Sequence, residues 1–431
     1  MEYKTSGRVS DHNVRARGGE YSEALHRASH DDLYTLPESS LRIPFDEPLF
    51  EASRTLAKTV VGPKLSHILH IGIGGSNLGA RALYEVIKGT SSFRVPTMLF
   101  LDTCAPELIA NTSEILLREV SEKEEILIII ASKSGTTTET IVNASVLIAA
   151  LENKLGPLAE RIVCITDEHS GLWSIAKENK YHCLSVPKIV GGRDSVCAPM
   201  GMFPLLCLGV DGEAFLRGAR RVVDDCVERR GESDAFRFAN DIYSWQAKGT
   251  FVFDFFAFHP ELEAMGKWYR QLFAESLGKA VTINGEATTH HIVPSVSIGS
   301  TDLHSAEQLY MAQPQISARI FVRVAGRKEE QRQVVPGGAL ISLVENIKGR
   351  TPAEIMNAIY AGVVEAYRVR NISFSELALD NLEPEALGAL MQFFMCGTMY
   401  LADMLKVNAF DQPDVEVYKK NMKNILDNKG E

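Results

Sequence analysis

From Leu65 onward, short runs of uninterrupted apolar residues alternate with stretches of helical spacing. The first run, HILHIGIGGS (His67–Ser76), ends in glycines. Asn77–Gly89 then repeats apolar residues at Leu78, Ala82 and Val86, one face of a helix, and Gly89 suits the C′ position that ends one. VPTMLFLD (Val95–Asp102), EILIIIASKSG (Glu125–Gly135) and RIVCITD (Arg161–Asp167) predict further strands, with a helix over Thr137–Leu151. Strands that are apolar throughout are buried on both faces, so the alternation predicts a parallel, doubly wound α/β sheet.

A second alternation begins near Phe236. GTFVFDFF (Gly249–Phe256) and ISARIFVRV (Ile316–Val324) predict strands. Glu261–Lys279, Gly338–Gly349 (GALISLVENIKG) and Pro352–Val369 predict helices. The stretch Pro204–Arg230 predicts a helical connection, and Asp414–Glu431 an amphipathic helix with a frayed tail. Gly326–Gln333 is a charge run expected to be a solvated loop. The expected organisation is a lead-in packing on the body (1–45), a first α/β domain (46–200), a helical connection (201–234), a second α/β domain (235–400) and a C-terminal helix (401–431).

Composition narrows the function. The 431 residues are 45% hydrophobic and 23% charged, ordinary for a soluble globular protein. The net charge of −10 gives no basic excess for nucleic acid, and an anionic substrate would need locally placed positive charge. Seven scattered cysteines with no CxxC pair point to reduced thiols rather than disulfides or a zinc site. The polar N-terminus has no signal-peptide pattern and no apolar run reaches a membrane span, so a cytoplasmic protein is expected.

Two loops carry candidate chemistry. GIGGSNLG (Gly72–Gly79) joins a strand to a helix, where backbone N–H groups and the helix N-terminus favour phosphate. It is not a Walker loop, because Ala80-Arg81 stands where Lys-Ser/Thr is needed, and Asn77 breaks the dinucleotide GxGxxG pattern. A tight packing turn is the alternative. SKSGTTTET (Ser132–Thr140) has the same layout. Thr136 and Glu139 fit a capping box, which leaves Ser132, Lys133, Ser134 and Thr137 as candidate donors for a phosphate dianion.

These loops, together with GGRDSVCAPMG (Gly191–Gly201), ESLGK (Glu275–Lys279), STDLHSAEQL (Ser300–Leu309) and FDQPDVEVYK (Phe410–Lys419), resemble the glucose-6-phosphate isomerase family. That family is built from two sugar-isomerase (SIS) domains. The ordered segments span residues 72–419. The resemblance implies a three-layer α/β/α fold in each domain, with the phosphate loops in the first and a C-terminal helix carrying Lys419. It implies reversible interconversion of glucose 6-phosphate and fructose 6-phosphate through ring opening and an enediolate.

By the same resemblance, Glu275 is the base that moves the proton between C2 and C1. Leu272, Phe273, Ala274 and Leu277 suggest apolar surroundings that would raise its proton affinity. Arg193 would stabilise the enediolate oxygens. His304 would open the ring, donated across the interface of a homodimer, while His290 and His291 fall outside the motif. Lys419 would contact the ring oxygen, with Lys420 the adjacent alternative. Gly75, Ser76, Ser132, Lys133 (through its backbone), Ser134 and Thr137 would hold the phosphate, and Gln271 and Gln412 would contact the sugar. PDVEVYK departs from the WGVELGK form known in the family, which bears on packing around Lys419. No metal or other cofactor is implied. The rival readings are a non-catalytic sugar-phosphate-binding regulator and a nicotinamide dehydrogenase; the latter is disfavoured by the broken GxGxxG.

Overall fold

The computed structural model describes residues 1–5, 12–90, 95–325, 334–344 and 346–427. The first half runs β1 (Glu2–Thr5), α1 (His12–Ser29), α2 (Glu47–Val60), β2 (His67–Ile71), α3 (Leu78–Thr90), β3 (Thr97–Leu101), α4 (Pro106–Glu119), β4 (Ile126–Ala131), α5 (Thr138–Leu155), β5 (Ile162–Thr166), α6 (Gly171–Glu178) and β6 (His182–Ser185). Next come α7 (Pro199–Cys207), α8 (Gly212–Glu228), α9 (Asp234–Gln246), β7 (Val252–Ala257), α10 (Glu263–Leu277), β8 (Val293–Ile298), α11 (Glu307–Ala312) and β9 (Ser317–Val324). The chain closes with α12 (Pro352–Val369), β10 (Phe374–Leu379), α13 (Pro384–Leu405) and α14 (Glu416–Asp427).

The first sheet is wholly parallel, in the order β3-β2-β4-β5-β6. Every residue of β2, β4 and β5 is buried, as their unbroken apolar runs require. One face (Leu69, Ile128, Ile130, Cys164) packs on Leu147 and Leu151 of α5 and on Leu116 of α4. The other face (Ile68, Leu127, Ile129, Val163) joins a core that continues into the second sheet through Phe253, Phe255 and Ile320. The second sheet has the order β1-β10-β9-β7-β8, parallel except for β1. Its far face packs Phe256, Phe321 and Phe374 under Val364 and Tyr367 of α12.

Between the sheets lie α8, α9, α10 and α13. Every residue of α13 from Leu387 to Ala402 is buried, so this helix is apolar all round. It meets α8 at close range: a Cβ on Gly218 would sit 1.9 Å from the Glu385 carbonyl oxygen, and one on Gly388 1.9 Å from that of Phe215.

The structure departs from the sequence pattern at three points. The polar lead-in contains β1, an antiparallel edge strand with Tyr3 turned inward to donate to Asp241 at 2.5 Å. Gly89 does not end its helix but lies inside α3, where a Cβ would come within 2.4 Å of Glu261; close packing, not a turn, selects glycine. Among the described residues of Gly338–Gly349 a 3-10 turn forms (Ala339–Leu343) and no longer helix, and its large apolar residues Leu340 and Leu343 are 78% exposed. Helical periodicity without a packing partner does not hold a helix. The charge run Gly326–Gln333 lies outside the described residues.

Candidate active site

In the first sheet the chain runs from β2 to β3 on one side and then to β4 on the other. The loops after β2 and β4 therefore diverge, and their shared crevice is where open α/β sheets bind ligands. Both loops are built for close approach. Gly72 is pressed against the Ala131 carbonyl, 3.0 Å from where its Cβ would be. Gly135 adopts φ +68°, and a Cβ there would meet Ser170 and Leu172 at 2.9 Å.

The hydroxyls of the second loop are already organised. Buried Ser132 Oγ accepts from Gly135 N at 3.1 Å and pairs with Thr137 Oγ1 at 2.9 Å. The Thr136–Glu139 capping box does not form: α5 begins at Thr138 after Thr137, with no side-chain cap, and Thr136 turns back to Ser134 at 3.3 Å. Thr137 is therefore the residue at the helix entrance, facing Ser132. The Lys133 carbonyl accepts from Asp167 N and Thr166 Oγ1, which pins the loop. Ser76 ends the turn Gly74–Ser76 of the first loop.

The Gly191–Ser195 segment sits directly on this crevice. A Cβ on Gly75 would lie 2.1 Å from the carbonyl carbon of Gly192, so the two loops touch backbone to backbone. That contact delivers Arg193, 2% exposed, beside the loops. Its Nη1 donates to Glu275 Oε2 and to Gln412 Oε1, both at 2.8 Å. Its Nη2 donates to the carbonyls of Ala409 and of Asp411, the latter at 3.1 Å. Gln271, one turn before Glu275 on α10, donates Nε2 to Glu275 Oε1 at 2.8 Å. A Cβ on Gly74 would meet that same Nε2 at 2.9 Å. Arg193, Glu275, Gln271 and Gln412 thus form one cluster touching the first loop.

The surroundings of Glu275 differ from the sequence expectation. Leu272, Phe273 and Leu277 turn into the core and Ala274 is exposed. The Glu275 carboxylate, 30% exposed, faces a cation and an amide instead. The carboxyl that burial acts on is Asp194, pushed up to about 6; Glu275 adds to the shift, while Arg193 and Lys133 oppose it. Burial also lowers the Lys133 ammonium below the usual lysine range, opposed by Asp167, with Arg193 adding to the lowering.

Two sequence candidates lie apart from the cluster. His304 ends an exposed 3-10 turn (Thr301–His304) after β8. Lys419 stands on α14, which buries no residue, and pairs with Glu416 Oε1 at 2.6 Å. His290 faces the Leu277 carbonyl at 3.2 Å. Lys279, the last residue of the ESLGK segment, was not assigned a role from sequence. It pairs with Asp411 Oδ1 at 2.9 Å, tying the end of α10 to the segment that holds Arg193. The carbonyls of Ala409 and Asp411 left no sequence signal, because a backbone acceptor is not encoded by side-chain type. Among the described residues no group of three or more His, Cys, Asp or Glu could hold a metal ion, and no helix is long and apolar enough to cross a membrane.

A family model described as phosphoglucose isomerase matches residues 51–431. The chain belongs to the phosphoglucose isomerase family. It is 34% identical to a glucose-6-phosphate isomerase of Mycoplasmopsis synoviae, over 85% of this chain and 84% of that one. It is 33% identical to a glucose-6-phosphate isomerase of Rubrobacter xylanophilus, over 91% and 90%. Among solved structures it resembles a hypothetical protein of Thermus thermophilus (TM-score 0.84, 28% identity, 96% of each chain). Its fold also matches a glucose-6-phosphate isomerase of Chlamydia trachomatis (TM-score 0.81, 21% identity, covering 100% of this chain and 89% of that one). Within the phosphoglucose isomerase family frame, the cluster around Arg193 unites residues from the GGRDS, ESLGK and FDQ segments.

Proposed function

We propose that this protein interconverts glucose 6-phosphate and fructose 6-phosphate, an aldose–ketose isomerisation on a metal-independent site. The observation that carries the reading is Arg193 Nη1, which bridges the Glu275 carboxylate and the Gln412 amide at 2.8 Å each beside a loop of ordered hydroxyls.

The 6-phosphate seats in the crevice between Gly75-Ser76 and Ser132–Thr137. Ser76, Ser132, Ser134 and Thr137 supply neutral donors, and Lys133 contributes mainly through its backbone. Anchoring this unreactive end places C1 and C2 near Glu275. His304 of a second copy and Lys419 serve ring opening at the ring oxygen, which makes the working form a homodimer.

In the open-chain aldose, Glu275 takes the proton from C2. The C–H electron pair forms the C1=C2 bond of an enediol(ate), and negative charge gathers on the oxygens. Arg193, already desolvated and fixed by two carbonyls, places a fixed positive charge beside that developing charge. The O2 hydroxyl proton passes to O1 and Glu275 returns its proton to C1, so that C2 becomes the carbonyl of the ketose. Gln271 and Gln412 keep the carboxylate and guanidinium aligned.

The decisive experiment supplies fructose 6-phosphate with EDTA present and couples any glucose 6-phosphate formed to its oxidation. Steady turnover is expected. Binding of the sugar phosphate without turnover would refute the reading and favour a sugar-phosphate-binding regulator.

A further inference from the structure

Arg193 is held unevenly. Its two terminal nitrogens make four hydrogen bonds, to Glu275, Gln412, Ala409 and Asp411. Its third nitrogen, Nε, is buried and has no hydrogen-bond partner among the described residues. The group facing Nε is the carboxylate of the next residue, Asp194, with Oδ2 at 3.9 Å. That side chain is 6% exposed. It is packed against Gly191, where a Cβ would come within 3.2 Å of Oδ2. Gly192 is wedged on Gly75 of the phosphate loop. Carboxylate, guanidinium and loop thus form one packed unit.

We propose that Asp194 is a positioning residue for the isomerisation: its ionised carboxylate holds the Nε edge of Arg193, keeping the opposite edge turned to Glu275, Gln412 and the reacting carbons, and protonation releases that hold. The inference rests on the isomerase reading above. It assigns Asp194 no contact with substrate; the residue acts through Arg193.

The charged groups that act on Asp194 come from three elements: Arg193 beside it, Glu275 on α10, and Lys133 of the loop after β4. Lys133 is itself flanked by Asp167 and Lys188. Burial dominates and pushes the Asp194 carboxyl up to about 6 from an ordinary 3.8. Between those values the folded protein keeps a proton that the unfolded chain has lost. Folding stability from this group therefore falls as pH rises through that window, and stays lowered above it. At neutral pH the ionised carboxylate burdens the fold, and a neutral isostere should relieve it. A residue kept only for packing would have no use for that charge.

The test compares kcat and KM for fructose 6-phosphate in the wild type and in Asp194→Asn across the neutral and mildly acidic range. The wild-type kcat should exceed that of the variant by about ten-fold near pH 8, as expected for losing a buried opposite charge beside the guanidinium. The ratio should fall toward one near about pH 5, because the wild-type carboxylate is then neutral too. KM should change less than about two-fold, since the phosphate contacts remain. Thermal unfolding should show the variant at least as stable as the wild type at neutral pH. A kcat ratio that does not change with pH would mean a merely structural role and overturn the proposal, as would a variant that fails to fold at neutral pH. Wild-type turnover is measured first. Its absence overturns the isomerase reading and this one with it, whereas a flat ratio with an active wild type overturns this one alone.

Discussion

The two sheets share one winding. β2 leads to β3 on one side and then to β4 on the other; β7 leads to β8 on one side and then to β9 on the other. Each therefore has a switch point at its strand ends. In the first sheet that point is lined by Gly72–Ser76 and Ser132–Thr137, loops of small residues apart from Ile73 and Lys133. In the second a large aromatic follows the corresponding strand, and the loop after β9 lies largely outside the described residues. Phe258, directly after β7, is buried, stacks on Phe256 at 5.2 Å and meets Tyr360 edge-on at 4.9 Å. A Cβ on Gly299, after β8, would strike the Phe258 ring at 2.6 Å. The same topology thus puts glycines after the first strand of one half and a packed aromatic ring after that of the other. What the second half contributes comes from its helix instead: α10 projects Gln271 and Glu275 across to the first half's loops.

This division of labour can be broken from either side. The largest effect should come from the second half's contribution. Glu275→Gln should lower kcat by roughly 10²–10⁴-fold, as loss of a general base does, while a sugar-phosphate inhibitor still binds within a few-fold of wild type. Retained turnover would remove Glu275 from the role of base. The first half's contribution should be smaller and of another kind. Ser132→Ala with Thr137→Ala should raise KM for fructose 6-phosphate by about thirty-fold, at about 1 kcal/mol per lost hydrogen bond, with kcat changed far less. Unchanged affinity for phosphorylated ligands would sink the crevice as the phosphate site.

The smallest change sharpens the comparison by adding a second copy. Mixing inactive Glu275→Gln chains with His304→Ala chains should restore about a quarter of wild-type activity. Half of a random mixture is heterodimer, and each heterodimer carries one site with both groups intact. No recovery above the separate variants would place His304 and Glu275 in the same chain's site.

Much of this was legible in the sequence. The unbroken apolar runs at Ile126–Ala131 and Ile162–Thr166 can only be buried strands, and the glycines and hydroxyls after them mark loops where a ligand can approach. Arg193, Gln271, Glu275 and Gln412 were named from ordered segments, and the structure brings all four together. What escaped has physical reasons. β1 is four residues of the pattern EYKT, with a single inward side chain, too short for periodicity to register. Thr136 and Glu139 have capping-box spacing, yet the loop hydroxyls satisfy one another. Phe273 and Leu277 stand two positions from Glu275 and so on another face of α10, and Ala274 beside it is exposed. Asp194 carried no signal of its own: an acid beside an arginine reads as solvated until its burial is known.

The interior helix α13 has a consequence for how the chain is made. It is the common partner of α8, α9 and α10, whose inward-facing apolar side chains are buried. During synthesis α8 is finished at Glu228, but α13 does not begin until Pro384. At the usual rate of elongation that interval is on the order of ten to thirty seconds. For that time Phe215, Leu216 and Val223 lack the cover that α13 supplies, and the nascent polypeptide presents that part of the surface to the ribosome's surroundings. The protein is thus assembled around its late-arriving centre, and yield in a cell is tied to whatever shields that surface meanwhile.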